Sequence, residues 1–299
     1  MEHPQFKGAV HGILESLDNT AEMDDPASAM LLGLPGTGKS RVCARVQEQM
    51  SHPGEQEDAK GLTKIIPCLY CRVPAHATIK ELSLTMLHDL GSNATARESA
   101  TMQHTIVRLL KTCQTRLVIL DEFQHLAEKG ADKTRAIMCD WVKTLLNESG
   151  IPVLLAGTPA FEKIADNNAQ LSQRYPCRLR MENFRYGPAG ANIGAEWRQV
   201  LAKLTSEMIR LGEIQNYIFL SDDYFALATY IYTGGNMRGL RHLLHAAFKS
   251  SLNRGDHTLI QADFLAAADR LTFLGQIKLS KNPFAASEAE LHKILHKLI

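Results

Sequence analysis

The residues that most directly indicate chemistry lie at positions 33–40, where the sequence reads GLPGTGKS. This segment satisfies the pattern G-x-x-x-x-G-K-[ST], with an apolar run before it and a helical pattern after it. Glycines here let backbone N–H groups turn inward around phosphates, and the following helix adds the positive end of its dipole. We predict an ATP site in which Lys39 reaches the β- and γ-phosphates and the Ser40 hydroxyl binds Mg²⁺. The predicted cofactor-binding residues of this segment are Gly33, Pro35, Gly36, Thr37, Gly38, Lys39, Ser40 and Arg41.

Two neighbouring acids follow the apolar run 117–120. A carboxylate at the carboxyl end of a buried strand can hold the metal through water, and we assign this role to Asp121. The next residue, Glu122, is then placed to orient and deprotonate an attacking water. The presence of Glu122 favours ATP hydrolysis over binding alone.

Thr158 follows the apolar run 152–156 and precedes Pro159. The strand that ends here should lie beside the strand that ends at Asp121. Thr158 is therefore a candidate catalytic residue that orients the attacking water. The alternative is that it only forms the N-cap of the helix that Pro159 begins.

Two arginines are candidates for completing the site. Arg174 ends the helix that precedes a strand at 178–181, and we expect it to reach the γ-phosphate of a neighbouring subunit. It could also be a surface residue. Because Arg178 and Arg180 are nearby, Arg174 is not the only arginine that could take this role. Arg238 begins a helix of the second domain and could close onto the phosphates, with Arg241 as the alternative.

These residues require a parallel sheet with helices on both faces. Strands are predicted at 27–32, 64–73, 117–120, 152–156 and 178–181, and helical patterns at 5–20, 39–50, 79–90, 98–113 and 132–147. After a Gly- and Pro-containing linker at 185–194, only helical patterns follow, at 195–212, 221–232, 236–253 and 261–272. The predicted fold class is an α/β P-loop sheet followed by a small all-helical lid. The predicted domains are an N-terminal helix (1–24), the nucleotide-binding domain (25–184), the lid (195–275) and a tail helix (276–299).

Composition narrows the class of protein. The chain has 299 residues, 45% of them hydrophobic, and a formal net charge of +1, which by itself gives no sign of a nucleic-acid partner. No run of eighteen apolar residues and no signal-peptide pattern occurs, so we expect a cytoplasmic protein without a membrane partner.

Cys68 and Cys71 form a CxxC pattern inside an extended apolar run, where residues three apart point to opposite faces. We expect buried reduced thiols there.

The segments GLPGTGKS, LVILDEFQHL, LLAGTPAF and TGGNMRGL come in the order of AAA+ ATPases, which the chain resembles over residues 25–270. More narrowly, the segment from Val73 to Gly91 and the run Asp121–Leu126 resemble transposon-encoded regulators of the TniB/TnsC type. That resemblance implies a homo-oligomeric ring or helical filament on duplex DNA that connects a target-selector protein to a transposase. It also implies that Arg174 is an arginine finger and Arg238 a second sensor.

The same resemblance places Lys80 and Arg97 in the segment that faces DNA, although Lys80 could be only a solvated residue of a helix start. The tail at 284–299 carries an apolar face, which could pack on the core or contact a partner such as the transposase. An alternative function is an AAA+ motor or loader that remodels a protein partner without a role in transposition. A third is a switch that binds ATP and hardly hydrolyses it.

Overall fold

The computed structural model describes residues 3–23, 26–50, 54–58, 61–75, 77–92, 99–126, 132–187, 192, 194–271 and 281–297. The chain divides into two compact units, an α/β unit (Pro4–Met181) and a helical unit (Glu182–Ile299). The boundaries predicted for four separate domains stay predictions.

The α/β unit is built around one five-stranded sheet. In chain order its elements are α1 (Pro4–Met23), β1 (Ala29–Gly33), α2 (Lys39–Met50), β2 (Gly54–Asp58), β3 (Gly61–Ile65), β4 (Cys68–Arg72), α3 (Ile79–Asp89), α4 (Ser99–Thr112), β5 (Leu117–Asp121), α5 (Asp132–Ser149), β6 (Val153–Gly157), α6 (Pro159–Asp166), α7 (Ala169–Gln173) and β7 (Cys177–Met181). A 3₁₀ turn, Phe123–Leu126, follows β5. The sheet order is β4-β5-β6-β1-β7, and the four strand pairs are parallel.

The sheet is covered on both faces, as its apolar strands predict. Every residue of β1, β5 and β6 is buried. Met30 and Leu120 pack into one core, whereas the alternate residues Leu31 and Ile119 pack into a second core with α1 and α2. Because parallel strands end at the same edge, the ends of β1, β5 and β6 bring the predicted site residues of the sheet together.

The two cysteines of the CxxC pattern separate as predicted. Both thiols are buried and free, with Cys68 in the second core and Cys71 in the first. Burial raises the pKa of each thiol to about 12.

Two features of the region before β4 differ from the sequence prediction. The polar stretch 51–63, for which the sequence predicts no strand, contains β2 and most of β3, which pair as an antiparallel hairpin. The single strand predicted at 64–73 is divided, because Pro67 separates β3 from β4. The carbonyl of Pro67 instead accepts hydrogen bonds from the backbone N–H groups of Arg116 (2.8 Å) and Leu117 (3.3 Å). β4 is an edge strand, the place in a sheet where a neighbouring proline is tolerated.

The helical unit has its own core. It contains α8 (Ala195–Gly212), β8 (Asn216–Tyr217), α9 (Asp223–Thr233), α10 (Met237–Arg254), β9 (Thr258–Leu259), α11 (Gln261–Arg270) and α12 (Glu288–His296). Trp197 is fully buried, and its indole N–H donates to the carbonyl of Ala226 at 3.0 Å. Leu291 and Leu295 of α12 belong to the same core, so the apolar face of the tail packs on its own unit. Much of the predicted linker, 188–191 and 193, lies outside the described residues.

Helix length and hydropathy also bear on the membrane prediction. Among the described residues, no helix combines the length and apolar character needed to cross a bilayer.

Candidate nucleotide-binding site

The loop between β1 and α2 has the backbone conformation that a phosphate cradle needs. Gly36 and Gly38 have φ angles of 85° and 108°, a left-handed region that favours glycine. Lys39 begins α2 and is buried, and its Nζ donates to the carbonyls of Gly33 (2.8 Å) and Leu34 (3.1 Å). The ammonium group therefore lies across the loop, while Ser40 is exposed on the first helical turn.

A glycine is required at position 33 because β1 and β7 approach each other closely there. It pairs in register with Met181 of β7. A Cβ atom at Gly33 would lie 2.4 Å from the Met181 carbonyl oxygen and 2.8 Å from the Thr37 hydroxyl. Any larger residue would displace β7 or the start of the loop.

Asp121 ends β5 and is completely buried. The Tyr70 hydroxyl donates to its Oδ2 at 2.9 Å, and the backbone N–H of Glu122 donates to its Oδ1 at 2.9 Å. Burial and the neighbouring Asp121 carboxylate raise the pKa of Tyr70 well above its usual value. The tyrosine thus remains a hydrogen-bond donor and fixes the carboxylate from the edge strand β4.

Glu122 has a φ of 59°, which few residues other than glycine adopt. Its carboxylate accepts a 2.6 Å hydrogen bond from the side-chain amide of Gln124. The Oε1 of the same buried amide accepts from the backbone N–H of Thr158 at 3.3 Å. Gln124 therefore joins Glu122, the residue that follows β5, to Thr158, the residue that follows β6.

Thr158 lies where the sequence predicts it, at the end of a strand that pairs with β5. It occupies the N-cap position of α6, yet its side chain makes no capping hydrogen bond. The capping alternative therefore does not account for the hydroxyl. Its role in orienting water stays a prediction.

The three arginines near β7 have different surroundings. Arg178 pairs with Glu162 (3.3 Å) and Asp166 (2.6 Å), and Arg180 pairs with Glu162 (2.7 Å). The Arg178 guanidinium lowers the pKa of Asp166. Arg174 is the C-cap residue of α7, and its carbonyl accepts from the backbone N–H of Ser28 at 3.2 Å. This bond ties the end of α7 to the residue before β1.

The remaining predicted residues are exposed or lie outside the described residues. Arg41 is exposed and pairs with Glu48 at 3.1 Å. Lys80 is exposed in the first turn of α3, which begins with a capping box formed by Thr78 and Glu81. Arg238 is exposed in the first turn of α10, in the helical unit. Arg97 lies outside the described residues.

The donor set at the sheet edge fits Mg²⁺. A hydroxyl from Ser40 and a carboxylate from Asp121 are hard oxygen donors, and Mg²⁺ in nucleotide sites takes few protein ligands beside phosphates and waters. Among the residues that the structure describes, no group of three His, Cys, Asp or Glu side chains could hold a metal by itself. The arrangement suits a metal that arrives with a phosphate ligand.

Gln124 and Tyr70 are the residues of this site that the motifs alone do not single out. Gln124 stands two positions after Glu122, so a search for polar side chains near the two acids could have found it. Tyr70 is 51 positions away from Asp121. Its contact with Asp121 depends on the register between β4 and β5, which the motifs do not give.

Comparisons with known proteins place this site within a family. The model of the family described as "Bacterial TniB protein" matches residues 2–185. No curated protein matches the chain in sequence.

Solved structures show the same fold at low sequence identity. The ORC1 protein of Aeropyrum pernix, solved in complex with DNA, has a TM-score of 0.62 and 15% identity, covering 90% of this chain and 65% of that one. Cdc6p of Pyrobaculum aerophilum has a TM-score of 0.63 and 13% identity, covering 91% and 69%. The A. pernix ORC2 protein, in ADPNP–ADP complexes, has a TM-score of 0.59 and 16% identity, covering 90% and 69%. This chain thus spans just under two thirds of the ORC1 chain. The chain has the AAA+ fold and belongs to the bacterial TniB family.

Proposed function

We propose that this protein is an ATP-dependent regulator of DNA transposition. It assembles on duplex DNA, and Mg²⁺-dependent ATP hydrolysis controls that assembly. The observation that carries the proposal is the meeting of Lys39, Asp121 and Glu122 at one edge of a parallel sheet, with Gln124 joining Glu122 to Thr158.

Each residue of the site has its own role in hydrolysis. The loop N–H groups and Lys39 bind the phosphates. Ser40 and Asp121 would hold Mg²⁺, which when bound neutralises phosphate charge and helps to orient the nucleotide. Glu122 accepts a proton from the attacking water, and Gln124 keeps its carboxylate turned toward the end of β6. Thr158 helps to position that water.

Assembly would complete the site from a second subunit. We assign the arginine supplied in trans to Arg174 because of its place at the end of α7, and we assign to Arg238 a contact with the phosphates of its own chain. A positive charge of this kind stabilises the negative charge that develops as the γ-phosphate leaves.

Membership in the TniB family supports the link to transposition. The ORC1 and ORC2 structures contain DNA and adenine nucleotides respectively, which supports a DNA-associated ATPase on this fold. A target-selector protein and a transposase are the protein partners that we propose.

The test is nucleotide-dependent assembly of the full chain on duplex DNA, followed by light scattering after size exclusion. With a non-hydrolysable ATP analogue at low salt, the wild type should elute as a large complex that contains DNA. Lys39→Ala should stay small, because the loop loses its only lysine. Lys111→Ala is the matched control, since Lys111 also donates to a backbone carbonyl, that of Glu148 at 2.7 Å.

Two results would overturn the proposal. A wild type that remains monomeric and free of DNA would remove its assembly and DNA components. Nucleotide-dependent assembly that excludes DNA would favour a motor or loader acting on a protein partner.

A further inference from the structure

α10 carries a row of exposed cationic or imidazole side chains. Its eighteen residues contain no Asp or Glu. The exposed members of the row are Arg238, Arg241, His242, His245 and Lys249. The whole chain has a net charge of only +1, so its composition does not reveal this local group of basic side chains.

The spacing places these side chains on one side of the helix. Positions 238, 242, 245 and 249 are three or four apart and therefore lie above one another, with Arg241 at the flank. At about 1.5 Å of rise per residue, the row extends roughly 16 Å. We call this surface the α10 cationic face.

Ion pairing distinguishes this face from the end of the same helix. Arg254 pairs with Asp256 at 2.6 Å and also with the buried carboxylate of Asp263. Among the described residues, by contrast, no carboxylate forms an ion pair with Arg241 or Lys249. Their charges remain available to an external anion.

A second element extends the same surface. A cavity of about 510 Å³ lies between α10 and the end of α11, and the described residues that line it include no carboxylate. Arg270 of α11 contributes to it beside His245, Lys249 and Asn253. The basic side chains of α10, together with Arg270, thus line a concave surface in addition to the row along one helix.

We propose that the α10 cationic face, over the part from Arg241 to Lys249, binds the phosphate backbone of duplex DNA, whereas Arg238 serves the nucleotide. This inference rests on the proposed function and names a contact surface in the helical unit. A DNA strand carries about one phosphate per 3.4 Å of helix axis, so the part from Arg241 to Lys249, roughly 12 Å long, faces about three or four phosphates. The exposed basic side chains lie along the helix axis, as the phosphates lie along a DNA strand. Contacts of this kind are independent of base sequence and weaken with salt.

The experiment compares two double charge reversals in the full chain. Arg241→Glu/Lys249→Glu removes charge from the α10 cationic face and leaves Arg238 unchanged because of its proposed nucleotide contact. Lys203→Glu/Lys293→Glu is the control, since both lysines are exposed on other helices of the same unit and the change in net charge is equal. Binding of a labelled duplex of arbitrary sequence is measured by anisotropy with a non-hydrolysable ATP analogue at several KCl concentrations.

The face variant should bind DNA about tenfold or more weakly at moderate salt, and its slope of log affinity against log salt should fall by about two. The control should keep most of the wild-type affinity and slope, and both should bind the analogue and melt like the wild type. If the face variant fails to fold, Arg241→Gln/Lys249→Gln gives the same comparison with a smaller effect.

Three outcomes would contradict the inference. A face variant with wild-type affinity and slope overturns it and leaves the proposed function intact. Binding of polyglutamate in preference to the duplex would make the surface a site for an acidic protein. A wild type that binds no DNA overturns both proposals.

Discussion

The carboxylate of Glu122 accepts a 2.6 Å hydrogen bond from Gln124, whose other amide atom accepts from the backbone of Thr158. A buried amide thus connects the proposed base to the neighbouring strand. Because Glu122 also has a left-handed backbone, two independent features fix the direction of its carboxylate. Strained backbone of this kind often accompanies functional residues.

Gln124→Ala should lower the rate of ATP hydrolysis about tenfold and leave ATP affinity unchanged, since the loop and Lys39 are untouched. The measurements are steady-state turnover and nucleotide binding. Gln103→Ala is the control, because Gln103 is a half-buried amide of the same unit whose NH₂ group donates to a backbone carbonyl, that of Trp141 at 3.1 Å. Equal turnover in both variants and the wild type would show that Glu122 needs no orientation by Gln124.

Gly157→Ala should disturb the same connection without removing the glutamine. A Cβ atom at Gly157 would lie 2.9 Å from Gln124 Oε1, so the amide must move. Because that atom ends a flexible side chain, we expect a small loss of stability and a clear loss of turnover. Gly8→Ala is the control, since a Cβ there meets nothing within 4 Å. Wild-type turnover in Gly157→Ala would contradict the prediction.

The thiols of Cys68 and Cys71 should resist alkylation in the native chain at pH 8, because burial raises the pKa of each to about 12. In denaturant all six cysteines should react. Mass spectrometry after timed labelling measures both cases. Fast native labelling of either residue would mean that the sheet opens readily at its β4 edge.

The Asp256 carboxylate should contribute to stability in a defined pH range. Hydrogen bonds from Arg254 hold the pKa of Asp256 at about 2, below its ordinary value of 3.8. A lowered pKa in the folded state means that the contribution is present above about pH 4 and is lost as the pH falls toward 2. Urea unfolding of the wild type and Asp256→Asn should therefore differ at neutral pH and converge in acid. Glu207→Gln, which removes another surface carboxylate, is the control.

Local patterns predicted much of this fold. The apolar run before Asp121 and the glycines before Lys39 each specify a strand or a turn from neighbouring residues. The same reasoning anticipated the separation of Cys68 and Cys71 to opposite faces. These features depend on periodicity, which a single sequence displays.

Contacts between distant segments could not be predicted in this way. The bond between Tyr70 and Asp121 depends on strand order and register. The hairpin of β2 and β3 is polar, so it lacks the apolar alternation that marks a strand. The ion pairs of Arg178 and Arg180 likewise depend on how α6 packs, although all three nearby arginines were visible in the sequence.

Glu122→Gln gives the most direct test of the central claim, that ATP hydrolysis controls assembly on DNA. The substitution keeps the size of the side chain and removes its basicity, so ATP binding should persist while turnover falls at least about a hundredfold. Wild-type and variant complexes are assembled on duplex DNA with limiting ATP, and their decay is followed by light scattering. We predict that the wild-type complex disassembles as ATP is consumed, whereas the variant complex persists. A variant complex that decays at the wild-type rate would contradict the account.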